Sequence, residues 1–365
     1  MEDGSSRLAE SASGAGPAGG EARSFAALDL GTNNCRLLIA TARGDGFRIV
    51  DSYSRIVRLG DGLSRTGRLD EAAMERTLEA LTVCAGKIRR RGVARVRAVA
   101  TQACRTAANG PEFIARAQER TGLRLSVISP KEEARLSVAG CLNLLDPGAK
   151  AALVLDVGGG STELSWIDLT PFGPGPIHGR AAAWRSAGKA WVSVPIGVVT
   201  LAERFPEAAG DAGACFRAMI ELMKEHIAAF SGAEGFRRAF ADGAAHLVGT
   251  SGAITSLAGL HLGLAKYDRS RVDGLWMTRG ECAAVADRLL ALTTSERGAQ
   301  PCIGPDRADL VLAGAAILQA VQDLWPCERV RVADRGLREG LLLSLIADER
   351  RRAARRRFHA RQTAG

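Results

Sequence analysis

A short motif occurs twice in this chain and limits the folds that the chain can adopt. The segment LDLGTN at residues 28–33 returns 127 residues later as LDVGGGST at residues 155–162, each time after an apolar run. A short apolar run that is closed by Asp and Gly predicts a buried strand that enters a turn. Two copies of this unit predict two similar halves that face each other.

The end of each predicted strand combines one carboxylate with a loop of small residues. Asp29 and Asp156 are these carboxylates. Glycine lets the backbone N–H groups of such a loop come close enough to cradle phosphate oxygens. A carboxylate is repelled by phosphate, so in such a site it would hold Mg²⁺ or orient water. A single Asp-x-Gly is more often an ordinary turn, and it is the second copy, with its GGGST loop, that favours phosphate binding.

A third loop of this kind has the sequence VGTSGA and lies at residues 248–253. It follows a predicted strand and opens a predicted helix, so its free N–H groups offer a further anion site. Ser251 and Gly252 are the candidate contacts there. Capping of the helix by the Ser251 hydroxyl explains the same sequence equally well, so this loop alone does not establish a ligand site.

The length and composition set the class of protein. A chain of 365 residues predicts roughly two domains, and the alternation of strand and helix patterns predicts an α/β fold. No apolar run approaches the ~18 residues that cross a bilayer. The eight cysteines stand singly, without a C-x-x-C pair, which is typical of buried thiols in a reducing cytosol. We therefore expect a cytoplasmic protein without a membrane segment.

Local signals delimit several elements. Asp70 is the expected cap of a helix that begins at Glu71. Further helices are predicted over residues 130–145, with Pro130 in the first turn, and over residues 306–324. Residues 1–24 are rich in Gly, Ala and Ser and poor in apolar residues, which predicts a disordered tail.

Seven segments, spread in order between residues 25 and 347, carry a resemblance to a known family. They are DLGTNNCRLLIA, ATQACRTAAN, EEARLSVAG, LDVGGGSTEL, VPIGVV, GTSGAITSLAG and VADRGLREGLL. In this combination the chain resembles the exopolyphosphatase and guanosine pentaphosphate phosphohydrolase family, in its short two-domain form. The resemblance implies an α/β fold of two actin-like (ribonuclease H-like) domains, each with a mixed sheet flanked by helices, and a cleft between them.

The resemblance also implies the domain boundaries. Domain I would span residues 25–135 and be completed by the C-terminal helix at 336–349, and domain II would span residues 136–335. Residues 350–365 contain seven arginines and no acidic residue, and we expect them to form a solvated, Arg-rich tail. Because this tail supplies most of the formal net charge of +9, the net charge alone says little about a polyanionic partner.

Residues of these motifs take their expected roles from the resemblance. Glu133 in EEAR is the expected general base that activates water, with Glu132 as the competing assignment. Arg105 in TQACR is expected to hold the reacting phosphate. The expected ligands of Mg²⁺, which also place water, are Asp29, Asp156 and Glu163. The expected phosphate-binding residues are Gly31, Thr32, Asn33, Asn34, Gly158, Gly159, Gly160, Ser161, Thr162, Ser251 and Gly252.

The activity that the resemblance implies is hydrolysis of a terminal phosphoanhydride. The first expectation is Mg²⁺-dependent release of phosphate from the end of inorganic polyphosphate. Guanosine pentaphosphate 5′-phosphohydrolase activity and a non-hydrolysing alarmone-binding regulator are the alternatives. A sugar kinase or chaperone ATPase of the same fold is disfavoured by the EEAR and TQACR motifs. The resemblance also allows a homodimer, and nucleic acid is not an expected partner.

Overall fold

Two β-sheets form the framework of the chain. The computed structural model describes residues 23–44, 46–173, 188–207 and 211–362. The predicted N-terminal tail lies outside the described residues except for its last two positions, Arg23 and Ser24. Within the described residues, no helix combines the length and the apolar character that a bilayer crossing requires.

Sheet A contains five strands in the spatial order β3-β2-β1-β4-β5. Its strands are β1 (Ser24–Leu30), β2 (Asn34–Arg43), β3 (Gly46–Ile56), β4 (Arg95–Ala100) and β5 (Leu125–Val127). Sheet B contains six strands in the order β10-β11-β9-β6-β7-β8. Its strands are β6 (Ala151–Val157), β7 (Thr162–Asp168), β8 (Gly188–Val194), β9 (Ala245–Thr250), β10 (Trp276–Thr278) and β11 (Arg329–Ala333).

The two sheets repeat one topology. In sheet A, β1 pairs antiparallel with β2 and parallel with β4. In sheet B, β6 likewise pairs antiparallel with β7 and parallel with β9, and β10 is an added antiparallel strand at the edge. Asp29 and Asp156 each occupy the position before the last residue of the equivalent strands β1 and β6. The internal repeat and the predicted α/β fold with two mixed sheets are therefore confirmed.

Helices cover the sheets and connect them. Those of the described residues are α1 (Leu63–Thr66), α2 (Glu71–Arg90), α3 (Gln102–Thr106), α4 (Gly110–Thr121), α5 (Pro130–Cys141), α6 (Val198–Arg204), α7 (Ala212–Ala228), α8 (Arg237–Ala241), α9 (Gly252–His261), α10 (Arg269–Val272), α11 (Arg279–Leu290), α12 (Thr294–Gly298), α13 (Val311–Leu324) and α14 (Leu337–Gln362). We call sheet A with α1–α4 the first half and sheet B with α6–α13 the second half. Helix α5 lies between the two, and α14 packs on α5 and on sheet A.

The predicted helix starts agree with the caps in the structure. The Asp70 carboxylate accepts a hydrogen bond from the N–H of Ala73 at 3.0 Å and caps α2, which confirms the predicted start at Glu71. The apolar side chains of Leu78 and Leu81 are buried on the face of α2 that packs in the core of the first half. The predicted helix 306–324 is shorter in the structure, because a separate 3-10 turn at Pro305–Arg307 precedes α13.

Helix α5 packs on both sheets. Leu136 belongs to the cluster between α5, α14 and sheet A, while Val138 and Cys141 pack in a cluster with sheet B. The helix ends at Cys141, four residues before the predicted end, and continues as a 3-10 turn at Leu142–Leu144. The predicted boundary between residues 135 and 136 therefore falls inside one continuous helix.

Helix α14 crosses α5 at very short range. A Cβ atom added at Gly140 would collide with the carbonyl oxygen of Gly336, and one added at Gly340 would collide with the carbonyl oxygen of Leu136. Both positions therefore require glycine. The helix continues through the predicted Arg-rich tail to Gln362, and the side chains of residues 351–359 are exposed. Arginine and alanine are good helix formers, which explains why the helix extends beyond the predicted end.

Aromatic side chains form a cluster in the core of the second half. The ring of Trp166 lies 5.5 Å from that of Phe230 and 5.1 Å from that of Trp325, between centroids. Phe240 meets Trp325 edge-on at 5.3 Å. Such contacts add to the apolar area that the rings bury, so this cluster is a main contribution to the packing of the second half.

Candidate active site

A cavity of about 130 Å³ lies where the two halves meet. It is lined by four loops that follow strands β1, β6, β9 and β11, at residues 31–34, 158–161, 251–253 and 334–336. The first three are the loops that the sequence predicts. The carboxyl ends of strands are where α/β proteins bind ligands, so this cavity is the candidate active site.

The structure brings most of the predicted phosphate-binding residues to this cavity. Those that line it are Gly31, Thr32, Asn33, Asn34, Gly158, Gly159, Gly160, Ser161, Ser251 and Gly252. Thr162 is the exception, because it is fully buried at the start of β7 and its hydroxyl donates to the carbonyl oxygen of Ile196 at 2.7 Å. Its position indicates a structural role rather than contact with a ligand.

The first two loops have the same turn and pack against each other. The N–H of Gly31 donates to the carbonyl oxygen of Asn34, and the N–H of Gly158 donates to that of Ser161, each at 2.9 Å. A Cβ atom at Gly159 would lie 3.0 Å from Cβ of Thr32. The close approach of the two loops therefore explains why the second one is rich in glycine.

Three of the predicted carboxylates face the cavity and one lies behind it. Asp29, Asp156 and Glu133 line the cavity. Glu163 is 2% exposed, does not line the cavity, and accepts a hydrogen bond from the Ser193 hydroxyl at 2.7 Å. Asp156 accepts one from the Ser137 hydroxyl at 2.5 Å.

Burial makes these carboxylates harder to ionise. Burial raises the pKa of Asp29 to about 6, although Arg36 opposes the rise. Burial also raises the pKa of Glu133 and of Glu163, and the repulsion between Glu133 and Glu163 raises that of Glu133 further. The pKa of Asp156 is raised by burial, against the effect of its hydrogen bond from Ser137. Carboxylates with raised pKa values in a cleft are typical of functional sites.

The two residues with predicted catalytic roles are in contact. Nη1 of Arg105 donates to the carbonyl oxygen of Ile128 at 2.8 Å and lies 3.2 Å from Oε2 of Glu133. Arg105 does not itself line the cavity, so the structure places it behind Glu133. Glu132 is more exposed, lies outside the cavity and forms an ion pair with Arg97. Of the two adjacent glutamates, Glu133 is therefore the one that faces the cavity.

Four arginines that were not among the predicted site residues also line the cavity: Arg36, Arg307, Arg335 and Arg338. A Cβ atom added at Gly252 would lie 3.0 Å from Nη2 of Arg36 and 3.7 Å from Cζ of Arg307. Both guanidinium groups therefore meet at the N-terminus of α9, where free N–H groups also favour anions. Arg36 stands directly opposite Asp29 in the pairing of β1 with β2, and this register was the signal that could have revealed it.

Asp29 and Asp156 suit a metal site in which water and substrate phosphates supply the remaining ligands. Among the described residues, no group of three or more His, Cys, Asp or Glu side chains is arranged to hold a metal ion. Asp29 and Asp156 nevertheless both face the cavity, and no hydrogen bond to the Asp29 carboxylate is found in the described part of the chain. Mg²⁺ is usually held by one or two carboxylates together with water and substrate phosphates, and this pair suits such a site.

Replacing Asp29 by Asn should stabilise the ligand-free protein at neutral pH. Burial raises the pKa of Asp29 from 3.8 to about 6, so the folded state binds this proton more tightly than the unfolded chain does. The free energy of unfolding therefore falls as the pH rises from about 4 to about 6, and it stays lower above that range. A shift of this size corresponds to about 3 kcal/mol, which the Asn variant would regain at neutral pH.

Urea unfolding in the presence of EDTA, at about pH 4 and about pH 7, measures this gain. We expect Asp29→Asn to exceed the wild type clearly at the higher pH and by much less at the lower pH. Asp287→Asn removes an exposed carboxylate on α11 and should change neither value. An equal gain at both pH values would show that the buried charge of Asp29 is not the cause.

The chain is similar to proteins of one family over nearly its whole length. The model of the Ppx/GppA phosphatase family matches residues 38–349. A Mycobacterium tuberculosis protein named exopolyphosphatase 2 is 30% identical over 338 residues, which cover 88% of this chain and 98% of that protein.

Solved structures agree with this similarity. The crystal structure of the Aquifex aeolicus member of the Ppx/GppA family matches with a TM-score of 0.70 and 28% identity, and the match covers 90% of this chain and 98% of the other. A Cytophaga hutchinsonii exopolyphosphatase matches with a TM-score of 0.76 over 89% of this chain and 98% of its own, at 22% identity, and this match supports the fold alone.

Proposed function

Since this chain belongs to the Ppx/GppA phosphatase family, we propose that it is a phosphohydrolase that removes the terminal phosphate from inorganic polyphosphate. Water attacks the terminal phosphorus, and the phosphoanhydride bond to the rest of the polymer breaks. The observation that carries the proposal is the position of Glu133, which faces a cavity lined by two glycine-containing loops and is paired with Arg105. The 30% identity to a protein named exopolyphosphatase 2 supports the choice of substrate.

In this proposal Glu133 is the general base. It would take a proton from the attacking water, which requires the ionised carboxylate. Burial raises the pKa of Glu133, whereas the neighbouring charge of Arg105 lowers it. A base works best when its pKa lies near the working pH; burial is the larger of these two effects, so the pKa of Glu133 is shifted upward from its usual acidic value.

The proposed role of Arg105 follows from its two contacts. Both use Nη1, so Nε and Nη2 have no partner among the described residues. Because the guanidinium is planar and has five donors, it can hold Glu133 through one edge and offer the other to the reacting phosphate. This contact with phosphate is the role that the family resemblance implies for Arg105.

The loops and the cavity arginines would bind the phosphates of the substrate. Phosphoryl transfer needs little covalent participation by the protein, and its rate depends on position and on neutralisation of charge. The loops at 31–34 and 158–161 supply backbone N–H groups, while Arg36 and Arg307 supply positive charge at the N-terminus of α9. Together they can orient the terminal phosphate for in-line attack.

We propose Mg²⁺ as the cofactor, held by Asp29 and Asp156. When bound, the metal would neutralise charge on the phosphate oxygens. Glu163 would contribute indirectly, since it pairs with Asp156 across β6 and β7 and does not line the cavity. Ser137 fixes the Asp156 carboxylate through its hydroxyl.

Three further features belong to this proposal. The proposed domains are residues 25–135 with 336–349 and residues 136–335, and they share helix α5 at their boundary; the packing of α14 on sheet A supports this division. The location is cytoplasmic, which is supported by eight free cysteines, seven of them buried. A homodimer rests on the family resemblance, and light scattering would test it.

Guanosine pentaphosphate is the second candidate substrate, because the motifs of this chain resemble those of a family that includes guanosine pentaphosphate phosphohydrolases. Its terminal 5′ linkage is also a phosphoanhydride, so the same cavity residues would serve. A regulator that binds the alarmone without turnover would keep the cavity and release no phosphate.

A phosphate-release assay decides between these candidates. We expect release from polyphosphates of several lengths in the presence of Mg²⁺, and loss of that release when EDTA removes the metal, with recovery when Mg²⁺ is restored. Guanosine pentaphosphate is assayed with the same preparation. Far more efficient cleavage of the pentaphosphate would make it the substrate, and tight binding without any release would favour the regulator.

A further inference from the structure

One arginine links the first half of the chain to the second. Arg58 lies in the loop that follows β3, and its guanidinium forms a bidentate ion pair with Asp309, with N–O distances of 2.9 and 3.0 Å. Nη2 also donates to the carbonyl oxygen of Asp306 at 3.1 Å. A bidentate pair fixes orientation as well as distance, so this link defines how the two segments lie relative to each other.

The backbone of Arg58 is fixed to the loop at residues 31–34, which we call the first phosphate loop. Its N–H donates to the carbonyl oxygen of Asn33 at 3.1 Å, and the N–H of Gly60 donates to that of Thr32 at 2.9 Å. Arg58 has a φ of 48°, and in the described part of the chain only Ser251 shares a positive φ among residues other than glycine. This conformation is unfavourable for a residue with a side chain and is maintained here by the surrounding contacts.

The two residues that Arg58 contacts in the second half lie on either side of Arg307 in the sequence. Asp306 and Asp309 flank Arg307, which lines the cavity and meets Arg36 at Gly252. Arg307 belongs to a 3-10 turn of three residues, and its Nη1 donates to Oγ of Ser256 at a long distance of 3.3 Å. The contacts of Arg58 therefore join the segment that carries Arg307 to the first half.

We propose that Arg58 is a positioning residue, which sets Arg307 of the second half against Arg36 and the first phosphate loop. These three groups then form a complete anion-binding site only when the two halves are held together. This inference rests on the proposed function, in which the bound anion is the terminal phosphate group of polyphosphate. Arg58 touches no substrate and acts through Arg307.

Kinetics with tripolyphosphate test this role. Arg58→Asn removes the ion pair and keeps a residue that tolerates a positive φ. We expect kcat/KM to fall about tenfold, mainly through KM. The double variant Arg58→Asn with Arg307→Ala should be no worse than Arg307→Ala alone. Exchange of the charges, as Arg58→Asp with Asp309→Arg, should restore kcat/KM to within about threefold of the wild type.

Two outcomes would overturn the proposal: a normal kcat/KM for Arg58→Asn, or the same tenfold loss in the Arg307→Ala background. The matched control is Arg55→Ala, which breaks an ion pair with Glu79 (3.1 Å) inside the first half and should leave kcat/KM unchanged.

Hydrogen exchange separates this inference from the proposed function, because it needs no turnover. In Arg58→Asn we expect faster exchange at residues 305–311 and unchanged exchange in the core of sheet B. Unchanged exchange at residues 305–311 would overturn the positioning role. A wild type that released no phosphate would overturn the proposed function, while the exchange comparison would still decide the role of Arg58.

Discussion

Glu133→Gln is expected to lower kcat by roughly 10²- to 10⁴-fold, which is the usual contribution of a general base. The amide has nearly the same shape as the carboxyl group but cannot accept the proton of the attacking water. Because the phosphate loops are untouched, KM should change little. Steady-state phosphate release from polyphosphate measures both constants.

Two controls sharpen this prediction. Glu132→Gln alters the adjacent glutamate, which pairs with Arg97 outside the cavity, and should leave kcat close to the wild-type value. The second control is the pH dependence of the wild type. Its kcat should rise with pH, because the raised pKa of Glu133 leaves this carboxyl group protonated in part of the enzyme molecules at lower pH. A near-normal kcat in Glu133→Gln would remove Glu133 from the mechanism.

Arg105→Lys is expected to lower kcat/KM by about 10²-fold or more, although it keeps the positive charge. A lysine ammonium is a point charge and cannot contact the Ile128 carbonyl, Glu133 and a phosphate in one plane. The ion pair at 3.2 Å would also be weakened. The pKa of Glu133 should then rise, so the pH dependence of kcat should move to higher pH.

The pH profile distinguishes the two roles of Arg105. If the residue only bound phosphate, kcat/KM would fall and the profile would keep its position. Arg116→Lys is the control, because Arg116 pairs with Glu71 on the surface and should affect neither quantity. Wild-type activity in Arg105→Lys would contradict both roles.

The parts of the site that could be predicted are those with local signals. The strand, the Asp and the glycine loop follow one another in the chain, so the positions of Asp29 and Asp156 could be read from the repeat. The same holds for Ser251, which the structure shows both as the cap of α9, through the N–H of Ala253 at 3.2 Å, and as part of the cavity wall. Helix capping and contact with a bound anion are therefore compatible roles for this loop.

The parts that could not be predicted depend on contacts distant in sequence. Arg307 reaches Arg36 only because the two halves meet, and no local pattern encodes that meeting. The sequence predicts that Thr162 contacts phosphate, but Thr162 is the first residue of β7 and its hydroxyl donates to the carbonyl oxygen of Ile196 inside the protein. Whether a loop residue faces a ligand or the core at a strand boundary is decided by the pairing of the strands.

The aromatic cluster around Trp166 and Trp325 is part of an uneven distribution of tryptophan that allows one half of the chain to be followed by fluorescence. All five tryptophans lie between residues 166 and 325, whereas sheet A and α14 contain none. Four of the five, Trp166, Trp191, Trp276 and Trp325, lie in described residues and belong to the second half, so their indole fluorescence reports the unfolding of that half, while far-ultraviolet circular dichroism reports both halves. Coincident transitions would show that the chain unfolds as one cooperative unit, and separate transitions would give each half a stability of its own, without any added label.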